Sequence, residues 1–168
     1  FKCRTWVVPD GDERSASLND HVHKATIVLM TPSQALVIRP ARQTNVQLLV
    51  LAGEALTLSA VQSLLRSFNF CRVWNSYGPT ETTDYVSVCL VPTHASSISI
   101  GRPICNTALV VCDRRTLLIG GKSVGAGYKN LAARSRAAFV YDAQQGANDG
   151  SSRCYDSGDR ARFGASGE

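Results

Sequence analysis

The 168-residue sequence predicts an α/β fold, in which a partial parallel sheet with helices is followed by a β-rich, barrel-like subdomain. Before residue 85, apolar β-branched runs alternate with helical patterns, an order typical of an open parallel sheet. After it, short β-rich runs are separated by glycine, proline and aspartate, which favours antiparallel strands. We therefore predict two parts of one core, truncated at both ends, over residues 1–85 and 86–168.

Buried strands and short helices alternate in the first half. The predicted strands are Arg4–Val8, Ala25–Met30, 46–54 and Arg72–Trp74. Two of them contain continuous apolar runs, which are typical of strands buried on both faces. Helices are expected over 17–24, Ser33–Ile38 and Leu56–Phe68, because apolar residues recur at helical spacing between turn signals.

The second half contains short strands with few helical signals. Its predicted strands are 85–91, 97–100, 108–112 and 116–119, and extended structure resumes over 154–163. One helix is expected at Ala132–Phe139, and residues 141–153, which are polar and lack periodicity, are expected to form a loop.

Composition excludes several classes of protein. The net charge of +5 is spread along the chain, so a nucleic-acid partner is not expected. The longest apolar runs are far shorter than the roughly 20 residues of a membrane-spanning helix, so no membrane partner is expected. Six cysteines without a C-x-x-C pair predict buried thiols and a reducing, cytoplasmic compartment. The opening from Phe1 has neither a signal peptide nor an ordinary start, and predicts a fragment.

Several suggestive motifs fail on spacing. Gly121-Lys122-Ser123 lacks the upstream glycine of a P-loop, and GAGYKN lacks the last glycine of a dinucleotide fingerprint. The histidines have no partners at metal-ligand spacing. These segments therefore predict no cofactor or metal by themselves.

The run NSYGPTETT, residues 75–83, carries the strongest chemical signal. It places an amide, an aromatic ring, hydroxyls and a carboxylate at the predicted carboxyl edge of the sheet, where open α/β folds bind ligands. An aromatic face suits a nucleobase, hydroxyls suit phosphate oxygens, and a carboxylate suits Mg²⁺. Composition alone leaves a polar surface turn as a second interpretation.

This run also resembles the core signature of adenylate-forming enzymes, and its YGPTE form is most similar to the adenylation domains of non-ribosomal peptide synthetases. Four further segments match in the family's order: VQLLVLAGEAL (46–56), SIGRPICNTALVVCD (99–113), LLIGGKSVGAGYKN (117–130) and CYDSGD (154–159). The resemblance covers nearly the whole chain but only a middle portion of such a domain.

The resemblance implies an activity and a set of nucleotide contacts. Such an enzyme joins a carboxylic acid, here expected to be an amino acid, to the α-phosphate of ATP and passes the acyl group to a phosphopantetheine thiol on a carrier protein domain. Thr80 would bond phosphate and Glu81 would hold Mg²⁺, as the catalytic pair. Six residues would bind the nucleotide: the backbone of Gly53, Glu54 and Ala55 beside adenine, Asn75 at its amino edge, Tyr77 against its face, and Asp159 at the ribose hydroxyls.

The resemblance also implies an acyl pocket. Its expected lining is Leu29, Val50, Ala52, Ser76, Asp84 and Tyr85. Asp84 is the informative member, because a carboxylate among small and apolar groups needs a partner such as a substrate amine or hydroxyl. The alternative is that Asp84 faces solvent or bonds a backbone amide.

Departures from the family pattern bear on activity. Arg115-Thr116-Leu117 stands where the family has GEL, after a short stretch that predicts a trimmed hairpin, and Leu131-Ala132 replaces Arg-Pro. Ser157 replaces the threonine of YRTGD and keeps its hydroxyl. The family's phosphate loop, substrate aspartate and lysine-bearing domain have no match, so we expect this chain alone to be inactive. A piece of an acyl- or aryl-CoA ligase and an inactive remnant stay open as alternatives.

Overall fold

The computed structural model describes residues 21–22, 24–38, 44–68, 71–113, 115–141 and 153–164. The chain divides into two compact units. The first comprises Phe1–Asn75 with Leu90–Ile98, and the second comprises Ser76–Cys89 with Ser99–Glu168. The predicted strand Arg4–Val8, most of the helix over 17–24 and most of the loop over 141–153 lie outside the described residues. The division at residue 85 stays a prediction.

The first unit contains the predicted parallel strands. They are β1 (Ile27–Met30), β2 (Leu48–Leu51) and β3 (Arg72–Tyr77), with β2 between the other two. The last two residues of β3 belong to the second unit. The fold class predicted for this part is confirmed. Strand β3 runs beyond the predicted Trp74, because pairing with β2 continues to Asn75, so the first residues of NSYGPTETT lie on a strand and not in a loop.

Two capped helices follow the first two strands. Helix α1 (Pro32–Val37) begins after Thr31, whose hydroxyl accepts a hydrogen bond from the Gln34 amide while the Gln34 side chain accepts one from the Thr31 amide. This reciprocal arrangement stabilises a helix start. Helix α2 (Leu58–Ser67) is capped by Thr57, which accepts from the Ala60 amide at 3.2 Å.

One face of the parallel strands is buried and the other is not. The buried core of the first unit joins alternate strand residues to α2; its largest fully buried members are Leu49, Leu51, Leu64, Phe68 and Val73. On the opposite face, Ile27 and Leu29 are 63% and 56% exposed. The expectation of burial on both faces is therefore wrong for β1. An exposed apolar face, which the fragment interpretation predicts, is present.

The second unit is rich in strands. Antiparallel β4 (Ser87–Val91) and β5 (Arg102–Pro103) form a short pair, of which the last two residues of β4 belong to the first unit. Four strands form an open antiparallel sheet in the order β6-β7-β9-β8, with β6 Thr107–Val111, β7 Thr116–Gly121, β8 Phe139–Tyr141 and β9 Arg153–Arg160. The barrel is thus not closed. The strand expected over 97–100 does not form.

Two local features complete the second unit. Helix α3 (Ala132–Ala138) is confirmed and ends one residue before the predicted Phe139. Strand β8, which was not predicted, follows it directly. Strands β6 and β7 pair as an antiparallel hairpin, in which the Arg115 amide donates to Cys112 O at 2.7 Å. That this hairpin is trimmed stays a prediction. The unit's core contains Val86, Leu117, Ile119, Phe139 and Tyr155.

Burial differs among the cysteines. Cys71 and Cys154 are buried as expected, whereas Cys105 is exposed. No helix in the described part of the chain is both long and apolar enough to cross a membrane.

Candidate functional site

The signature segment after β3 has a backbone that its surroundings hold in place. Gly78 is required there, because a Cβ would lie 1.8 Å from the Asp84 carbonyl oxygen. A single 3₁₀ turn, Thr80–Thr82, is followed by Thr83 and Asp84 with φ of 58° and 71°. A left-handed β-branched residue is a genuine outlier, of the kind that clusters at functional sites. The Thr83 hydroxyl donates to Ser123 O at 2.8 Å and anchors this turn.

Tyr77 and Asp159 meet although 82 residues separate them in the chain. The Tyr77 phenol donates a hydrogen bond of 2.5 Å to Asp159 Oδ2. Burial, and then the Asp159 carboxylate, raise the pKa of Tyr77, so the phenol stays a proton donor at neutral pH. The side chain of Asp159 is itself exposed, and is therefore open to a ligand on its other lone pairs.

Ser157 fixes the backbone of β9 next to Asp159. Its hydroxyl donates to Leu117 O at 2.8 Å and accepts from the Asp159 amide at 3.1 Å. The hydroxyl that Ser157 keeps in place of the family threonine thus links β9 to β7.

Glu81 is held by the loop before α3. Its carboxylate accepts from the Tyr128 phenol at 2.6 Å, and its carbonyl accepts from the Gly125 amide at 2.8 Å. Hydrogen bonding from Tyr128 is the largest cause that lowers the pKa of Glu81. The group is therefore an anion at neutral pH.

The chemistry of Glu81 fits a magnesium ion bound through a nucleotide. Mg²⁺ in nucleotide sites is usually held by one or two carboxylates together with substrate phosphates, and Glu81 supplies such a charged oxygen donor. Thr80, the expected phosphate contact, is exposed on the same turn. Among the described residues, no three His, Cys, Asp or Glu side chains are grouped closely enough to hold a metal ion.

The expected adenine contacts of the first unit lie at one edge of its sheet. The turn of Gly53, Glu54 and Ala55 follows the last residue of β2, and Asn75 pairs in register with that residue, Leu51. The Glu54 side chain is engaged locally, because its carboxylate accepts from the amide and the hydroxyl of Ser33 at the start of α1. Only its backbone is therefore suited to the expected role.

The expected pocket residues divide between the two units. Leu29 and Val50 are register partners on the exposed sheet face, and Ala52 follows two residues later. In the second unit Ser76 is buried, and its hydroxyl has no hydrogen-bond partner among the described residues. Asp84 is exposed and Tyr85 half-buried. The pocket role of all six residues stays a prediction.

Sequence reasoning missed three residues that shape the site. Tyr128 bonds Glu81, Thr82 is fully buried with its hydroxyl on Pro79 O, and Arg153 donates to the carbonyls of Gly125 and Ala126. Each lies within or beside a matched segment, which is the signal that identifies it. None has a residue type or spacing that alone predicts its partner.

Comparisons with known proteins agree on a family. The model of the AMP-binding enzyme family matches residues 3–128. Aldehyde reductase lnaA of Aspergillus flavus is 29% identical over 74% of this chain, and nonribosomal peptide synthetase 7 of Gibberella zeae is 31% identical over 95% of it. This chain spans only 14% and 4% of those two proteins.

A solved structure shows the same fold. PA1221, a protein with adenylation and PCP domains of the nonribosomal peptide synthetase type, is 26% identical to this chain, with a TM-score of 0.78. The match covers 91% of this chain and 34% of PA1221.

Proposed function

Because the chain belongs to the AMP-binding enzyme family, we propose that it is the middle part of an adenylation domain of non-ribosomal peptide synthesis. In that function a carboxylic acid, here an amino acid, reacts with ATP to give an acyl-adenylate and pyrophosphate. The acyl group then passes to the thiol of a carrier protein. The residues of this chain would bind the nucleotide and orient it for that reaction.

The hydrogen bond between Tyr77 and Asp159 is the observation that carries the proposal. Two matched motifs, one from the signature and one from the YDSGD segment, supply its donor and its acceptor. A carboxylate with four lone-pair sites can bind a phenol and still accept from the two hydroxyls of a ribose. The ring of Tyr77 would then lie against the base while Asp159 holds the sugar.

Glu81 and Thr80 would act on the phosphate end of the nucleotide. Mg²⁺, when bound, supplies charge neutralisation at the phosphates. Glu81 would hold that ion as an anionic oxygen donor, and Thr80 would donate its hydroxyl to a phosphate oxygen. Fixed groups of this kind stabilise the charge that develops while phosphate oxygens and the attacking carboxylate are close together.

The amino-acid substrate and the carrier partner rest on the relatives. Nonribosomal peptide synthetase 7 and PA1221 are named for this chemistry, and PA1221 carries its PCP domain in the same chain. Within the second unit, Ser76 supports a polar contact in that pocket, because its buried hydroxyl has no hydrogen-bond partner among the described residues and such groups are otherwise costly.

Binding of an aminoacyl-adenylate analogue tests the proposal. With a panel of aminoacyl sulfamoyl adenosines and Mg²⁺, we expect weak binding of at least one member by calorimetry. Glu81→Ala and Asp159→Ala should each weaken it, while Lys24→Ala, an exposed change in the first unit, should not. If neither Glu81→Ala nor Asp159→Ala weakened binding, the proposal would be contradicted.

Activity assays extend this test to the alternatives. Groups that act mainly on the transition state affect rate more than ground-state affinity, so this chain alone should show no amino-acid-dependent ATP–pyrophosphate exchange. Exchange above background would show that the unmatched family segments are dispensable. Preference for aryl or fatty acyl adenylates over every aminoacyl analogue would instead indicate a CoA ligase, and a folded chain that binds none would indicate an inactive remnant.

A further inference from the structure

The loop from Lys122 to Asn130, which follows β7, has no role in the function proposed above, yet it makes three hydrogen bonds to the signature turn. The Gly125 amide donates to Glu81 O, Ser123 O accepts from the Thr83 hydroxyl, and the Tyr128 phenol donates to Glu81 Oε1. The first two contacts hold the backbone. Only the third reaches a side chain to which we assign a ligand.

Contacts with Ser135, Phe139 and Arg134 hold the backbone and the ring of Tyr128. Its amide donates to the Ser135 hydroxyl at 2.8 Å, and its ring packs edge-on against Phe139, with centroids 5.5 Å apart. The guanidinium of Arg134 lies 5.0 Å over the same ring. The ring therefore cannot move the phenol away from Glu81 without breaking these contacts.

The loop itself is clamped from β9. Arg153 donates to Gly125 O at 2.5 Å and to Ala126 O at 2.8 Å, while its guanidinium stacks 4.7 Å from the centre of the Phe139 ring. Gly125 also lies close to the signature turn, because a Cβ there would meet Glu81 O at 3.0 Å. The position of the Tyr128 phenol is therefore set by the sheet and not by the loop alone.

A phenol is a suitable donor for an anion that must bind a cation. A lysine or arginine in the same place would neutralise Glu81, whereas a neutral hydroxyl orients the carboxylate and leaves its charge available. Hydrogen bonds that orient ligating carboxylates are a regular feature of metal sites, and their loss typically costs 10–100-fold in metal affinity.

We propose that Tyr128 is a positioning residue, whose phenol holds the Glu81 carboxylate in the orientation that a divalent cation bound to a nucleotide triphosphate requires. The proposal rests on the proposed function, because it needs Glu81 to be the metal ligand. It predicts that Tyr128 governs the metal-dependent part of nucleotide affinity and leaves the metal-independent part unchanged.

Metal and nucleotide affinities, measured separately, test this proposal. The probe is Mn²⁺ with a non-hydrolysable ATP analogue, followed by electron paramagnetic resonance, and the same analogue is titrated in EDTA. Tyr128→Phe keeps the ring and removes the hydroxyl. We expect Mn²⁺ affinity to fall about tenfold, with affinity in EDTA unchanged. Tyr141→Phe, the same change at an exposed tyrosine of β8, is the matched control and should alter neither.

A double variant identifies the route of the effect. If Tyr128 acts through Glu81, then adding Tyr128→Phe to Glu81→Ala causes no further loss of Mn²⁺ affinity. A full further loss in the double variant would overturn the proposal. Should Tyr128→Phe fail to fold, Glu81→Asp gives the same test, because the shorter side chain keeps its charge but withdraws from the phenol, and unchanged Mn²⁺ affinity would overturn the proposal.

The outcomes separate the inference from the function on which it rests. Loss of Mn²⁺ affinity in Glu81→Ala, with Tyr128→Phe equal to the unchanged chain, would overturn the positioning role and leave the proposed function standing. Absence of metal-dependent binding in the unchanged chain, or no effect of Glu81→Ala, would overturn both.

Discussion

The phenol of Tyr77 is hydrogen bonded at 2.5 Å to the carboxylate of Asp159, so two expected nucleotide contacts support each other directly. A side chain held in its bound orientation loses less entropy when the ligand arrives. The bond therefore makes Asp159 a preorganised acceptor.

Tyr77→Phe isolates the contribution of that bond. The phenyl ring keeps a face for the base, while the hydroxyl that orients Asp159 is lost. Ordering a free side chain on binding costs about 0.5–1.5 kcal/mol, so nucleotide affinity measured by calorimetry should fall roughly two- to tenfold. Tyr77→Leu, which also removes the aromatic face, should cost more. Equal affinity in the parent chain and Tyr77→Phe would contradict a positioning role for the hydroxyl.

Ser33→Ala should change the response of the first unit to acid. The Ser33 hydroxyl is the largest cause that lowers the pKa of Glu54 from its ordinary 4.5. A depressed folded-state pKa contributes stability that is present above pH 4.5 and is lost as the pH falls through the folded pKa. The variant should raise the pKa of Glu54, measured by carboxyl NMR, and flatten the fall in unfolding free energy below about pH 5. Ser67→Ala, at the exposed end of α2, is the control.

Leu49→Ala and Leu29→Ala are the same change on the two faces of neighbouring strands. Leu49 is 0% exposed in the core, so its truncation should cost about 2–5 kcal/mol of unfolding free energy. Leu29 lies on the exposed face, so Leu29→Ala should cost less than about 1 kcal/mol of unfolding free energy. Urea denaturation measures both, and similar losses would mean that the exposed face is covered in solution.

Arg115→Gly tests a departure from the family pattern. Arg115 has a φ of 61° where the family has the glycine of GEL. A left-handed conformation costs a non-glycine residue about 1–2 kcal/mol, while glycine adds about 0.5–1 kcal/mol of unfolded-state entropy. The variant should be neutral or more stable by up to about 1 kcal/mol in thermal unfolding. Arg136→Gly in α3 should instead lose about 1 kcal/mol of stability. An equal loss of stability in the two glycine variants would contradict backbone strain at Arg115.

Local patterns predicted most of the elements. The spacing of Leu58, Val61, Leu64 and Phe68 predicts α2, because a helical period of apolar residues needs one buried face. The full length of β3 was not predictable, since Asn75, Ser76 and Tyr77 have turn-like chemistry and only pairing with β2 keeps them extended. The one-sided burial of β1 was missed for a related reason: apolar residues continue through Ile27 and Leu29 whether or not anything covers them.

The site was predictable only through resemblance. Nothing in the residues around Tyr77 indicates a bond to a carboxylate 82 positions later, because such contacts depend on how the strands fold together. The family pattern named both residues but assigned them to a ligand and not to each other. Neither local sequence patterns nor the family resemblance predicted the Tyr128–Glu81 bond, because Tyr128 lies in a motif to which no role was assigned.

The two hydrogen bonds of Ser157 define what an alignment of related chains should accept at this column. The position requires one hydroxyl oxygen that donates to Leu117 O and accepts from the Asp159 amide, so serine and threonine are equivalent there. Valine has the shape of threonine but neither hydrogen bond. A substitution score based on size would rank valine close to threonine. The two hydrogen bonds instead group valine with the substitutions that leave the Asp159 backbone without its support.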